Sequence, residues 1–181
     1  MQVKAKIDKK LGAYQHVSHG FAPVYDQNSK ILILGSFPSV KSREEGFYYA
    51  HPRNRFWKIL AAILQEKEPA TIQEKKELLF SHGIAIYDVI EECDIIGSSD
   101  SNIKNVVPSD LAPILDTAQI QTIFTNGKTA ERLYQKYQKT QTKLESVCLP
   151  STSPANAAFS FERLMLIWRE ELKTKNSNYL L

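Results

Sequence analysis

Residues 31–60 read ILILGSFPSVKSREEGFYYAHPRNRFWKIL, and the order of the three parts within this stretch sets the fold. The apolar run 31–34 is too short for a lone helix. It is bounded by Lys30 and by the turn formers Gly35, Ser36 and Pro38, so it reads as a buried strand. A loop of roughly fifteen residues follows, a length that compact domains usually reserve for function. It is both aromatic and basic, with Phe47, Tyr48, Tyr49, His51, Arg53, Asn54 and Arg55. Next, Phe56, Ile59, Leu60, Ile63 and Leu64 recur at three-and-four spacing and share one face of a helix over 55–64. Strand, polar loop and helix make the first half of a βαβ unit, and open α/β sheets take ligands at the carboxyl ends of their strands.

The pattern recurs downstream. GIAIYDV (83–89) reads as a second strand with Asp88 near its carboxyl end, and QTIFTNG (121–127) as a third that ends in Asn126 and a glycine turn. Residues 144–149 form the last strand. Thr71 and Glu74 stand at capping-box spacing and start a helix through about Phe80. Ser109 and Asp110 cap a short helix over 111–117. The segment 128–137 places Ala130, Leu133, Tyr134 and Tyr137 on one helical face, and a final helix carries Phe161, Leu164, Met165, Trp168 and Leu172. Residues 1–20 read as a polar arm, 19–26 (HGFAPVYD) as an extended segment packed on the sheet edge, and 91–111, rich in Ser, Asp and Asn, as a long loop. The expected architecture is α/β: one domain over 1–181, a three-layer α/β/α sandwich around a parallel sheet of about four strands.

Composition narrows the class. The chain has 181 residues, 43% hydrophobic and 24% charged, and no apolar run approaches the ~18 residues a bilayer span needs. A membrane role is not expected. MQVKAKIDKKLG has charge but no apolar stretch behind it, unlike a secretory signal, so an intracellular (cytoplasmic) protein is expected. Cys93 and Cys148 lie far apart with no CxxC, too few ligands for a four-cysteine metal site, and no cofactor is expected. A net charge of +3 and a pI near 8.7 fit a polyanionic partner without requiring one.

Four loops rich in small polar groups converge on one sheet edge: 35–55, 88–105, 126–128 and 150–156. GSFPS (35–39) lacks the lysine and glycine spacing of a nucleotide cradle, and there is no GxGxxG. Apart from His51 and His82, the loops offer no obvious nucleophile and base pair. Asp88 can line a pocket or cap the next turn. Asn126 can bond a ligand edge through its amide or simply form the turn before Gly127. Ser151 and Ser153 suit a phosphate site at a helix N-terminus, or an ordinary serine cap with Pro154 in the first turn.

Gly35-Ser36-Phe37-Pro38-Ser39, Tyr49-Ala50-His51-Pro52-Arg53-Asn54-Arg55-Phe56-Trp57 and Leu149-Pro150-Ser151-Thr152-Ser153-Pro154-Ala155-Asn156 together resemble the motifs of the uracil-DNA glycosylase superfamily. More closely, they resemble its hypoxanthine (deoxyinosine) DNA glycosylase branch. The match runs from about His19 to Trp168 and includes GSSD (97–100) and TNGK (125–128).

The resemblance implies a monofunctional enzyme that flips a deaminated base from double-stranded DNA and hydrolyses its N-glycosidic bond, acting as a monomer. Such a reaction builds positive charge on the sugar and negative charge on the base, so it needs a positioned water and donors aimed at the base. By resemblance, Asn54 orients the water and supports the sugar cation; as a plain residue, it is a favoured helix N-cap. Tyr49 stacks on the flipped base, Asn126 bonds its edge, Asp88 lines its pocket, and backbone N–H groups around Ser36 and Phe37 receive the O6 of hypoxanthine. Ser39, Arg53, Ser151, Thr152, Ser153 and Asn156 contact the DNA backbone, with Arg55 a further phosphate contact.

Phe37 departs from the superfamily's mispair-specific members, which have Asn there, and from its most efficient uracil enzymes, which have Asp in that loop. The water-orienting burden therefore moves to Asn54, and hypoxanthine is the expected main substrate. Ser-Thr-Ser stands in place of the superfamily's second-motif histidine. A uracil or mispair glycosylase with the same site, and a nucleic-acid-binding α/β protein that releases no base, are the competing readings. Lys128 is the only lysine at a strand end, so no Schiff-base step is expected.

Overall fold

The computed structural model describes residues 13–175. Residues 1–12 of the expected arm lie outside them. Four strands form a parallel sheet in the order β3-β2-β6-β7: β2 (Ile31–Gly35), β3 (Ile84–Asp88), β6 (Thr122–Asn126) and β7 (Ser146–Leu149). Leu32, Ile33 and Leu34 are wholly buried, as a strand covered on both faces requires. Because β2 is paired with β3 on one side and β6 on the other, the chain reverses direction across the sheet between β2 and β6. A crevice forms at such a point.

Helices flank this sheet. The segment 35–55 is less irregular than expected, because a short helix, α1 (Val40–Glu45), interrupts it. Ser39 caps α1 at one end and Gly46 ends it with φ 65°, a left-handed conformation suited to glycine. Helix α2 (Phe56–Leu64) packs on α7 (Phe161–Lys175), while α3 (Ile72–Ser81) packs on β3. Thr71 and Glu74 make the reciprocal capping box their spacing implies. Beyond the short α4 (Ala112–Thr117), α5 (Lys128–Tyr137) lies on β6 and β7, followed by α6 (Lys139–Thr142).

The larger departure is a second, antiparallel sheet, β1-β4-β5, built from β1 (Gln15–Ser18), β4 (Ile90–Ile95) and β5 (Lys104–Pro108). Residues 91–95 and 104–108 of the expected 91–111 loop are therefore strand. Their signal is weak because β1 and β5 are largely exposed and β4 buries only Ile90, Cys93 and Ile95; polar residues on a half-solvated sheet look like turn formers. The extended segment before β2 does sit on the sheet edge, where Val24 exchanges two backbone hydrogen bonds with Ile86. No helix among the described residues is long and apolar enough to cross a membrane.

Candidate active site

A cleft of about 780 Å³ opens at the carboxyl ends of the parallel strands. It is lined from all four polar loops, and Ser36, Phe37, Ser39, Tyr49, Asn54, Asp88, Asn126, Ser151, Thr152, Ser153 and Asn156 all border it. Arg53 is exposed and His51 only partly buried; neither borders it, and His82 sits at the C-terminus of α3.

Asn54 is held by its amide oxygen. Oδ1 accepts the backbone N–H of Phe56 at 3.0 Å and the Thr152 hydroxyl at 2.9 Å. With an N–H donor on one side, that amide atom must be the oxygen, which leaves Nδ2 as the group turned to the cleft. Thr152 in turn accepts from Asn126 Nδ2 at 2.9 Å, while its backbone N–H donates to Asn126 Oδ1 at 2.9 Å. Asn126, Thr152 and Asn54 form one chain of hydrogen bonds between the ends of β6 and α2. Thr152 is fully buried. Its expected place on DNA phosphates is corrected by this: it links the two asparagines inside the site.

Arg55, expected on phosphates, is also engaged elsewhere. Its guanidinium donates to the carbonyls of Thr152 (3.3 Å), Ser153 (2.8 Å), Asn156 (3.0 Å) and Phe159, and its backbone N–H also meets Thr152 O. One planar fork thus shapes the loop over 151–159. The loop's own side chains complete it: Ser151 Oγ accepts from Ser153 N, Ser153 Oγ from Ala155 N, and Asn156 Nδ2 donates to Ser151 O. The helix after it starts only at Phe161, with Ser160 as its cap, so Ser151 and Ser153 do not sit at a helix N-terminus. Ser39 likewise spends its hydroxyl on capping α1.

Tyr49 stacks on Phe56, ring centroids 3.9 Å apart and 20° between planes. Its φ of 53° is rare for a non-glycine residue. The hydroxyl is buried with no hydrogen-bond partner; burial, reinforced by the charge of Asp88, pushes its pKa far up. Asp88 closes the floor. A Cβ on Gly35 would stand 2.1 Å from Asp88 Oδ1 and 3.2 Å from the Tyr49 hydroxyl, so only glycine lets both side chains approach β2.

Two residues that sequence reasoning passed over complete the site. His19 is fully buried, with Nε2 2.8 Å from Asp88 Oδ2 and Nδ1 2.9 Å from the Phe21 carbonyl; HGFAPVYD carries no periodicity that singles it out. Asp100 accepts the Ser36 hydroxyl at 3.0 Å. Burial raises its pKa above the ordinary value, and nearby Asp88 adds to the shift. The backbone N–H groups of Ser36 and Phe37 meet no backbone acceptor among the described residues, so two donors stand free beside the Asp88 carboxylate.

Chemically, the arrangement supplies amide and backbone donors, one stacking ring and two carboxylates in a cleft wide enough for a nucleotide. A model of the uracil DNA glycosylase superfamily matches residues 22–173. The hypoxanthine DNA glycosylase of Methanosarcina acetivorans is 33% identical over 149 residues, covering 81% of this chain and 93% of that protein. That of Methanosarcina barkeri (strain Fusaro) is 35% identical over 111 residues, 60% of this chain and 70% of its own. The solution NMR structure of a candidate uracil DNA glycosylase from M. acetivorans superposes with a TM-score of 0.71 at 29% identity, covering 86% of this chain and 98% of that one. Sequence and fold agree: the chain belongs to the uracil DNA glycosylase superfamily.

Proposed function

We propose that this protein removes hypoxanthine from double-stranded DNA, hydrolysing the N-glycosidic bond of deoxyinosine and leaving an abasic site. It acts inside the cell as one copy. The observation that carries the reading is the fixed amide of Asn54: its oxygen is committed to Phe56 and Thr152, and its nitrogen faces a cleft that also holds Tyr49, Asp88 and Asn126. The names of the two Methanosarcina relatives favour hypoxanthine as the base.

Bond breaking runs ahead of attack in such a reaction, so the sugar cation needs a placed water more than a strong base. Asn54 Nδ2 holds that water by donating to its oxygen and leaves the other lone pair for C1′. The departing base carries negative charge, which the free N–H groups of Ser36 and Phe37 meet at O6. Tyr49 offers its ring to the flipped purine; stacking contributes ~1–3 kcal/mol per base.

The test is an end-labelled duplex with one deoxyinosine, incubated with the protein in EDTA and cleaved with alkali, beside a matched uracil duplex. Strand cleavage at inosine, faster than at uracil, is expected, with none in Asn54→Ala although that variant still binds DNA. Faster release of uracil would make it a uracil enzyme, and undiminished turnover in Asn54→Ala would remove Asn54 from the chemistry. Borohydride is expected to trap no DNA, despite Lys128 at the cleft.

A further inference from the structure

The His19–Asp88 pair lies beneath the cleft and takes no part in the steps above. Hydrogen-bond inventory fixes which way the imidazole is turned. A backbone carbonyl only accepts, so His19 Nδ1, 2.9 Å from Phe21 O, carries a hydrogen. The Nε2···Oδ2 contact at 2.8 Å holds one proton more. The imidazole is ringed by Phe21, Tyr87 and Tyr48 at centroid distances of 4.4, 5.1 and 5.6 Å, which fix where it stands. Whichever partner owns that proton, Asp88 Oδ1 remains a hydrogen-bond acceptor. One Asp88 oxygen is occupied by the imidazole. The other, Oδ1, has no partner among the described residues and lies over Gly35, beside the free N–H groups of Ser36 and Phe37.

Deamination changes a base in one way that such a pair can read. Adenine presents a bare ring nitrogen, an acceptor, next to an amino group; hypoxanthine presents a ring N–H, a donor, next to a carbonyl. We propose that His19 and Asp88 are the specificity-determining pair of this site: His19 holds Asp88 with Oδ1 toward the cleft as an acceptor that takes the N1–H of hypoxanthine and opposes the bare N1 of adenine. Asp88 touches the base; His19 is a positioning residue that acts through it. Backbone donors at Ser36 and Phe37 take the adjacent carbonyl, so the strand end reads the donor and acceptor together. A site built around a substrate N–H rejects analogues that lack it far more strongly than an apolar pocket rejects a change of shape.

This inference rests on the glycosylase reading, and its test separates the two. Single-turnover release is measured from duplexes carrying deoxyinosine or purine 2′-deoxyriboside, whose N1 is bare, for the wild type, Asp88→Leu and His19→Leu. In Asp88→Leu no acceptor faces the N1–H of hypoxanthine, whichever tautomer His19 adopts. Deoxyinosine release is expected to fall roughly 100-fold, with release of the unsubstituted purine falling far less, so the ratio between substrates collapses. His19→Leu leaves Oδ1 unanchored and lowers the same ratio by about 10-fold. A folding defect moves both substrates together and leaves the ratio alone. If the wild type releases no hypoxanthine, the glycosylase reading fails. If the wild type is active and both variants lose the two substrates in parallel, the pair does not read the base, and the inference falls.

Discussion

Thr152→Val tests the chain of hydrogen bonds that fixes Asn54. Valine keeps the shape of a residue that is fully buried but deletes the hydroxyl that meets Asn126 Nδ2 and Asn54 Oδ1, both at 2.9 Å. Two bonds of about 1 kcal/mol each, with one amide donor left short of an acceptor, place the stability loss near ~2–3 kcal/mol. For Asn54 the effect is on orientation. Two bonds to its oxygen, about 2 kcal/mol together, keep all but roughly 3% of the amide with Nδ2 toward the cleft; with Phe56 N alone, about one molecule in six is turned over. Flipping by itself is a minor loss. The larger one is that a side chain tethered at one point wanders, and displacement of a reacting group by about an ångström costs up to ~100-fold in rate. The expected result is a 10- to 100-fold fall in single-turnover release from a deoxyinosine duplex, with DNA affinity changed only a few-fold. Urea unfolding gives the stability. A variant as stable as the wild type, turning over at the same rate, would show that Asn54 is positioned by something else.

Arg55→Lys replaces a planar fork that reaches four carbonyls with a point charge that cannot span them. A stability loss of about 1–3 kcal/mol is expected, with easier proteolysis within 151–159, whereas a simple phosphate contact would alter only the salt dependence of DNA binding. Gly35→Ala drives a Cβ to 2.1 Å from a carboxylate oxygen that His19 keeps from moving aside. The misfit is expected to cost about 1–3 kcal/mol and most of the activity, both read on the same preparation. Asp100→Asn keeps an acceptor for Ser36 and removes a buried charge. The folded pKa of Asp100 is raised above 3.8, so folding favours its protonated form, and the stability this gives is lost as pH rises from the unfolded value through the folded one. In urea midpoints taken at stepped pH, the variant should gain on the wild type as pH climbs through that window and then hold its lead; a constant offset at every pH would refute the assignment.

What the amino-acid sequence conveys here depends on how local the cause is. The Thr71–Glu74 box and the bounds of α5 follow from neighbours in sequence, and both are found where spacing puts them. Helix α1 was equally local, with Ser39 before it and Gly46 after it, yet the aromatic and basic residues beyond it drew the segment toward a loop reading. The antiparallel sheet is different in kind: β1 is defined by its pairing with β4, nearly eighty residues away, and its exposed face leaves no alternation to read. His19 shares that fate, for its partner Asp88 is brought to it only when β1 has docked.

Arg55 shows most plainly why a site can be half legible. Every loop must satisfy its backbone carbonyls as well as its N–H groups, and a sequence reveals side chains, not carbonyls. The serines of 151–159 suggested phosphates because hydroxyls are versatile, but in the fold Ser151 and Ser153 accept from the loop's own N–H groups. The loop's own N–H groups reach only some of its carbonyls, Asn156 N–H meeting Ser153 O and Phe159 N–H meeting Asn156 O. Arginine offers five N–H donors in a fixed plane and no acceptor, so one residue at the start of α2 meets four carbonyls that no serine in the loop serves. The cation that charge counting assigns to DNA is therefore spent on shaping the loop that holds Thr152, and through Thr152 on aiming Asn54. Exposed Lys128, which borders the cleft at the start of α5, is by contrast a cation with no side-chain partner among the described residues.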